Sequence, residues 1–260
     1  MIYALEQVSI AVSATRLAEA ARAYATLLGR RAQQHPAGCS FQLSNVRLEL
    51  VADAAAPGLA GLAFAVEDLE AWGRLLARRG LPVQPANLGD QSAPPALLAD
   101  RQATLGVPMH FCAGEKEAVR PSTPTLPETE TTAVTALDHL VIKTPNPDRA
   151  IALYAGRLGL SLRLDRSDAE WGARLLFFRC GALTVELVHR PGQESGEGVD
   201  RLWGLSWRVP DMAGAHARLR AAGVDLSEIR GGRRPGTRVA TVRSHTAGVA
   251  TLLIGPDAGA

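Results

Sequence analysis

DHLVIKTPNPDRAIALYAGRLGL, residues 138–160, reads as a strand that runs directly into a helix. LVIKT has the alternation of a strand, and the residues after it place apolar side chains at three- and four-residue spacing. Asn146-Pro147-Asp148 supplies the chemistry of a helix N-terminus. Gly159 fits its stop. The same reading applies near the start of the chain, because LEQVSIAVS (5–13) matches LDHLVIKTP (137–145). ARAYATLLGR (21–30) then matches IALYAGRLGL (151–160), setting Tyr24 on Tyr154.

Further matches follow in the same order. SNVRLELV (44–51) aligns with GALTVELV (181–188), placing Glu49 on Glu186. GLAFAVEDLEAWGRLLARRGLPV (61–83) aligns with GLSWRVPDMAGAHARLRAAGVDL (204–226), and TLGVPMHFC (104–112) with TAGVATLLI (246–254). The chain is therefore an internal duplication. Module 1 spans 1–115, a linker 116–135 and module 2 136–260. The linker call rests on GEKEAVRPSTPTLPETETTAV (114–134), which is rich in Pro, Thr and Glu and lacks apolar periodicity.

Each half resolves into two units. In the second half, strands are expected near 161–165, 174–179 and 182–188, then strand 204–209, helix 211–222 and strands near 238–243 and 249–254. One strand in each later unit is supplied by the pattern. The fold class is α+β: four βαβββ units in two tandem modules, whose curved sheets form cupped, half-open barrels.

This order, with the 138–160 stretch, resembles the vicinal oxygen chelate superfamily, the glyoxalase, bleomycin-resistance and extradiol dioxygenase fold. The resemblance covers nearly the whole chain outside the linker. It implies a divalent metal (Fe, Mn, Ni or Zn) on inward-facing residues of the first and last strands of two paired units. Mapped residue by residue, the first half offers Gln7, Glu49, Gly61 and His110, and the second His139, Glu186, Gly204 and Leu252. Neither half carries a full ligand set. If the units exchange across halves, one cleft gathers His110, His139 and Glu186, a two-histidine, one-carboxylate set. If each half keeps its own units, the second retains only His139 and Glu186.

Blander readings stand beside these. His110 lies among apolar residues, where a core histidine is the rival. Glu186 in an apolar strand is costly unless paired, and it is the candidate catalytic carboxylate, as ligand or proton carrier. Gln7 and Glu49 read as a structural pair or a remnant site. His35, His189, His216 and His245 read as ordinary.

For substrate contacts the candidates are Trp171, Arg208, Arg234 and Arg238. The two latter belong to RGGRRPGTR (230–238), a segment that could hold a carboxylate or phosphate but reads first as a solvated turn. Alternation turns Trp203, Leu205 and Trp207 toward the helix layer and Gly204, Ser206 and Arg208 toward the cleft.

Composition narrows the classes. Of 260 residues, 47% are hydrophobic and 21% charged, with net charge +2, so a packed core is expected and disorder is not. There is no concentrated basic footprint for nucleic acid and no apolar run of membrane-spanning length. No signal peptide is read at the N-terminus, and Cys39, Cys112 and Cys180 form no CxxC pair, so reduced core thiols in a cytoplasmic protein are expected. The expected partner is a small-molecule ligand, with a monomer or homodimer both allowed. The leading function is a metal-dependent lyase, isomerase or dioxygenase acting on a small oxygenated metabolite. The alternative is a metal-free, drug-sequestering binding protein of the same fold.

Overall fold

The computed structural model describes all residues except 54–56, 89–93, 115–130, 169, 171, 193–197 and 258–260. Most of the linker and Trp171 therefore lie outside the described residues. The first half contains β1 (Ile2–Val12), α1 (Leu17–Leu28), β2 (Gln33–His35), β3 (Gly38–Gln42) and β4 (Arg47–Ala52). It continues with β5 (Gly58–Val66), α2 (Leu69–Arg78), β6 (Val83–Asn87), β7 (Pro95–Ala99) and β8 (Met109–Ala113). The second half repeats this with β9 (Ala136–Lys143), α3 (Pro147–Ile151), β10 (Ser161–Asp168), β11 (Ala173–Cys180) and β12 (Leu183–His189). Then come β13 (Arg201–Arg208), α4 (Met212–Ala221), β14 (Arg230–Gly231), β15 (Thr237–Val242) and β16 (Ala250–Pro256). The inferred extra strands exist as β6 and, cut to two residues, β14.

There are two eight-stranded mixed sheets, ordered β2-β3-β4-β1-β5-β8-β7-β6 and β10-β11-β12-β9-β13-β16-β15-β14. Each draws its strands from one half, and neither closes into a barrel. By contacts the chain divides into two compact units. The first comprises Met1–Val8, Gly61–Ala118 and His139–Trp203, the second Ser9–Ala60, Val119–Asp138 and Gly204–Ala260.

The helix starts are set by side chains. Asp68, Asn146 and Asp211 each accept a hydrogen bond from the backbone N–H three residues on, at 2.9, 3.1 and 2.9 Å. After Ile151 the backbone of α3 widens into a π-helical segment, Ala152–Arg157, which the apolar spacing did not reveal. Gly159 then ends it with φ 72°. No helix among the described residues is long and apolar enough to cross a membrane.

The helix-facing sides of the sheets make the cores. In the first unit Phe111 packs 6.0 Å from Phe64 and 5.8 Å from Trp72, between ring centroids, and Tyr154 lies 5.6 Å from Phe178. Leu205 and Trp207 are buried as alternation requires, but Trp203 is 46% exposed. It sits at the start of its strand, where Lys143 Nζ rests 4.7 Å from its ring centroid, and core packing was the wrong reading of it. Cys39, Cys112 and Cys180 are buried free thiols.

The duplicated tyrosines make a test. Tyr24 donates a 2.9 Å hydrogen bond to the Thr246 carbonyl, whereas the Tyr154 hydroxyl is fully buried without a partner among the described residues. Tyr24→Phe should cost about 1 kcal/mol in urea denaturation, and Tyr154→Phe should be neutral or stabilising. Equal losses would show that the second hydroxyl is bonded after all.

Candidate functional site

Tyr154 contacts Phe178 from the helix side, so alternation puts Phe177 and Arg179 on the opposite face of β11. Residues directly paired across strands share a face, and the register extends that face over β9 to β12. One row runs Arg179, Thr184, His139. The next runs Phe177, Glu186, Val141, and a third Leu175, Val188, Lys143.

His139 and Glu186 therefore stand on adjacent strands, one row apart. His139 Nε2 lies 3.6 Å from Glu186 Oε2, with 20% and 9% of the two side chains exposed. Beside them is a pocket of about 350 Å³ lined by Arg163, Phe177, Phe178, Arg179 and Thr184. His189, whose strand position turns it away, bonds through Nδ1 to the Thr144 carbonyl.

His110 stands elsewhere. It is on β8, opposite Ala63 of β5 and Leu98 of β7, and belongs to the sheet of the first half. His110 thus lies on a different sheet from His139 and Glu186, although by contacts all three belong to one compact unit. Among the described residues no three His, Cys, Asp or Glu side chains gather as a metal-holding group.

Burial pushes the His110 pKa below its ordinary value. The unfolded chain then binds the extra proton first. The stability due to neutral His110 is full above the unfolded value of about 6.5 and is lost as pH falls toward the folded value. His110→Gln should flatten the loss of stability between about pH 7 and 5 in urea denaturation. An unchanged acid limb would place the titration on other groups.

The remaining sequence candidates are engaged. Arg208 makes a 2.8 Å ion pair with Asp138, and Arg234 approaches the same carboxylate at 3.9 Å. Arg238 is 3.9 Å from Asp257. Two features escaped the sequence reading. The first is that Glu49 (8% exposed) is contacted by His35 Nε2, with Arg47 Nε at 4.0 Å. The β2–β3 hairpin, in which His35 pairs with Gly38, brings His35 to β4. Burial raises the Glu49 pKa against the opposing pull of His35 and Arg47. The second is the Arg163–Arg179 pocket, for which a β-bulge between Leu162 and Leu164 left no signal in the sequence.

Residues 138–241 match the sequence model of the Glyoxalase/Bleomycin resistance protein/Dioxygenase superfamily. That match lies within the second half and agrees with the vicinal oxygen chelate resemblance of its sequence. The tandem fold extends over the whole chain. The 2,2',3-trihydroxybiphenyl 1,2-dioxygenase of dibenzofuran-degrading Sphingomonas wittichii strain RW1 superposes with TM-score 0.72 at 18% identity, covering 98% of this chain and 91% of that one. The Mn(II)-bound glyoxalase of Novosphingobium aromaticivorans gives 0.72 at 14%, covering 98% and 82%. The 2,3-dioxygenase LapB of Pseudomonas sp. KL28 gives 0.70 at 17%, covering 100% and 95%. At these identities the fold is what is shared. No curated protein sequence matches the chain.

The superfamily fold implies a divalent metal, and the donor set can be weighed against it. Of the four inward positions in the second half, His139 and Glu186 carry donors, while Gly204 and Leu252 offer no ligating side chain. Two protein donors fall short of the three or more usual for a resident transition-metal centre. The residues present do not compose such a centre.

Proposed function

We propose that the second half is a small-molecule enzyme site in which Glu186 and His139 move a proton on a ligand held against the β9–β12 face. The observation that carries this reading is a nearly buried carboxylate 3.6 Å from a partly exposed imidazole, on the face that bears the pocket. Such a pair supports enolisation of a carbonyl compound. Glu186 accepts the proton from the carbon next to the carbonyl, and the electron pair moves onto the carbonyl oxygen. His139 Nε2–H stabilises that oxygen by hydrogen bonding, and return of the proton gives an isomer or leads to elimination. The class is an isomerase or lyase of small oxygenated metabolites.

A metal-dependent lyase, isomerase or dioxygenase is the second reading. It is favoured by the 3.6 Å separation, which one ion could bridge, and by structural neighbours that include a Mn(II)-bound glyoxalase. The test is deuterium exchange into the α-position of a series of 2-oxo acids, followed by NMR before and after chelator treatment. Exchange that survives chelation is expected. Exchange lost with chelator and restored by Mn(II) would move the conclusion to the metal reading, and binding without exchange would move it to a sequestering protein.

A further inference from the structure

We propose that the pocket beside His139 and Glu186 recognises the carboxylate of a small, flat organic acid through Arg163 and Arg179. This rests on reading the β9–β12 face as the ligand site, and it adds the class of ligand. Several arginines around the second half already have carboxylates. Arg174 holds Asp165 at 2.7 Å and Asp148 at 3.0 Å, Arg208 holds Asp138, and Arg243 approaches Asp225 at 3.3 Å. Arg163 and Arg179 make no ion pair or hydrogen bond among the described residues, yet both line the same pocket of about 350 Å³.

The local backbone explains how two arginines come together there. Ser161 pairs with Arg179 and Leu162 with Phe178, but Leu164, not Arg163, pairs with Phe177. Arg163 is the extra residue of a bulge, a device that re-aims a side chain. It turns Arg163 toward the face of Phe177 and Arg179. Two guanidiniums in one pocket repel each other unless an anion lies between them, and their forked donors suit a carboxylate.

The rest of the pocket says what the carboxylate is attached to. Phe177 offers a flat apolar wall, Leu164 beside it is 48% exposed, and Thr184 supplies one hydroxyl. Arg179 and His139 are two strands apart in one row, roughly 10 Å between Cβ atoms at ordinary strand spacing. A ring-sized acid anchored at the arginines would reach the His139–Glu186 pair with its opposite end. A bare phosphate would use neither the wall nor that span.

Calorimetric titration with benzoate and with benzamide, its uncharged counterpart, tests the assignment. Benzoate should bind at least about tenfold more tightly, and Arg163→Ala and Arg179→Ala should each weaken benzoate by about tenfold without affecting benzamide. Arg163→Lys and Arg179→Lys, checked for native circular dichroism, should recover part of the loss, keeping the charge without the fork. Equal affinity for the two probes, unchanged benzoate affinity in both alanine variants, or no saturable benzoate binding at millimolar concentration would overturn it. So would inorganic phosphate displacing benzoate as well as a second carboxylate does. The two readings fail separately. Arginine-dependent benzoate binding without α-proton exchange overturns only the proton-transfer reading, and exchange with indifferent benzoate binding overturns only this one.

Discussion

Glu186→Gln should lower α-proton exchange by about 10²–10⁴-fold, the contribution of a positioned general base. The amide keeps the size and one acceptor oxygen but cannot take a proton from carbon. His139→Ala should cost about 10²-fold, by removing a hydrogen-bond donor from the developing oxyanion. Stability should move the other way. Glu186 is 7% exposed on a strand whose neighbours Val185 and Leu187 are fully buried, and holding its charge there opposes folding. A leucine there removes the cost of burying the charge and supplies apolar volume in its place. Glu186→Leu should therefore raise the melting temperature while abolishing exchange, a trade expected of a group kept for chemistry. Exchange rates by NMR beside calorimetric melting would show it. A Leu variant that is less stable and still exchanges would make Glu186 a structural residue.

What was legible in the sequence was whatever depends on near neighbours. Asn146-Pro147, Asp211 and Gly159 announce helix ends through local chemistry, and the duplicated order of strands gave the architecture before any contact was known. Sheet faces were legible wherever strands are regular, as with Leu205 and Trp207. They failed at Trp203, which lies near the start of β13 and is exposed, with Lys143 Nζ over its ring.

The site was less legible because its pairings are long-range. His35 read as ordinary, and its hold on Glu49 depends on a hairpin that brings positions fourteen apart together. The arginines of 230–238 offered an anion site beside the solvated-turn reading, and Asp138 and Asp257 stand against Arg234 and Arg238. Arg163 and Arg179, which share the pocket without carboxylate partners among the described residues, are far less conspicuous in sequence. Only the bulge and the register set them on one face. The sequence also left open which units come together, and the structure puts His110 and His139 on different sheets but, by contacts, in one compact unit.

Restoring a histidine at the missing ligand position should fail. Gly204 pairs directly with Ala250 in the parallel β13–β16 ladder, and a Cβ there would meet the Ala250 carbonyl oxygen at 2.8 Å and its Cβ at 3.3 Å. The obstacle is backbone, so accommodation means parting two paired strands rather than turning a side chain. Gly204→His should cost about 3 kcal/mol, the upper end of ordinary overpacking, and should gain no stoichiometric metal by elemental mass spectrometry. Gly61, the equivalent position of the first half, is the control. Its nearest neighbours to an added Cβ, the oxygen and Cβ of Pro108, lie at 3.5 and 3.6 Å, an ordinary contact distance. Gly61→His should cost less than Gly204→His, since its Cβ meets no backbone closer than ordinary contact. The same substitution thus separates two glycines that the repeat makes equivalent. If Gly204→His were as stable as wild type and took up metal, the β13–β16 packing would not be what keeps a ligand out, and the metal-dependent reading would regain first place. If it destabilises as expected, the second half is committed by its own backbone to work with two donors, which is the arrangement a proton-moving pair needs.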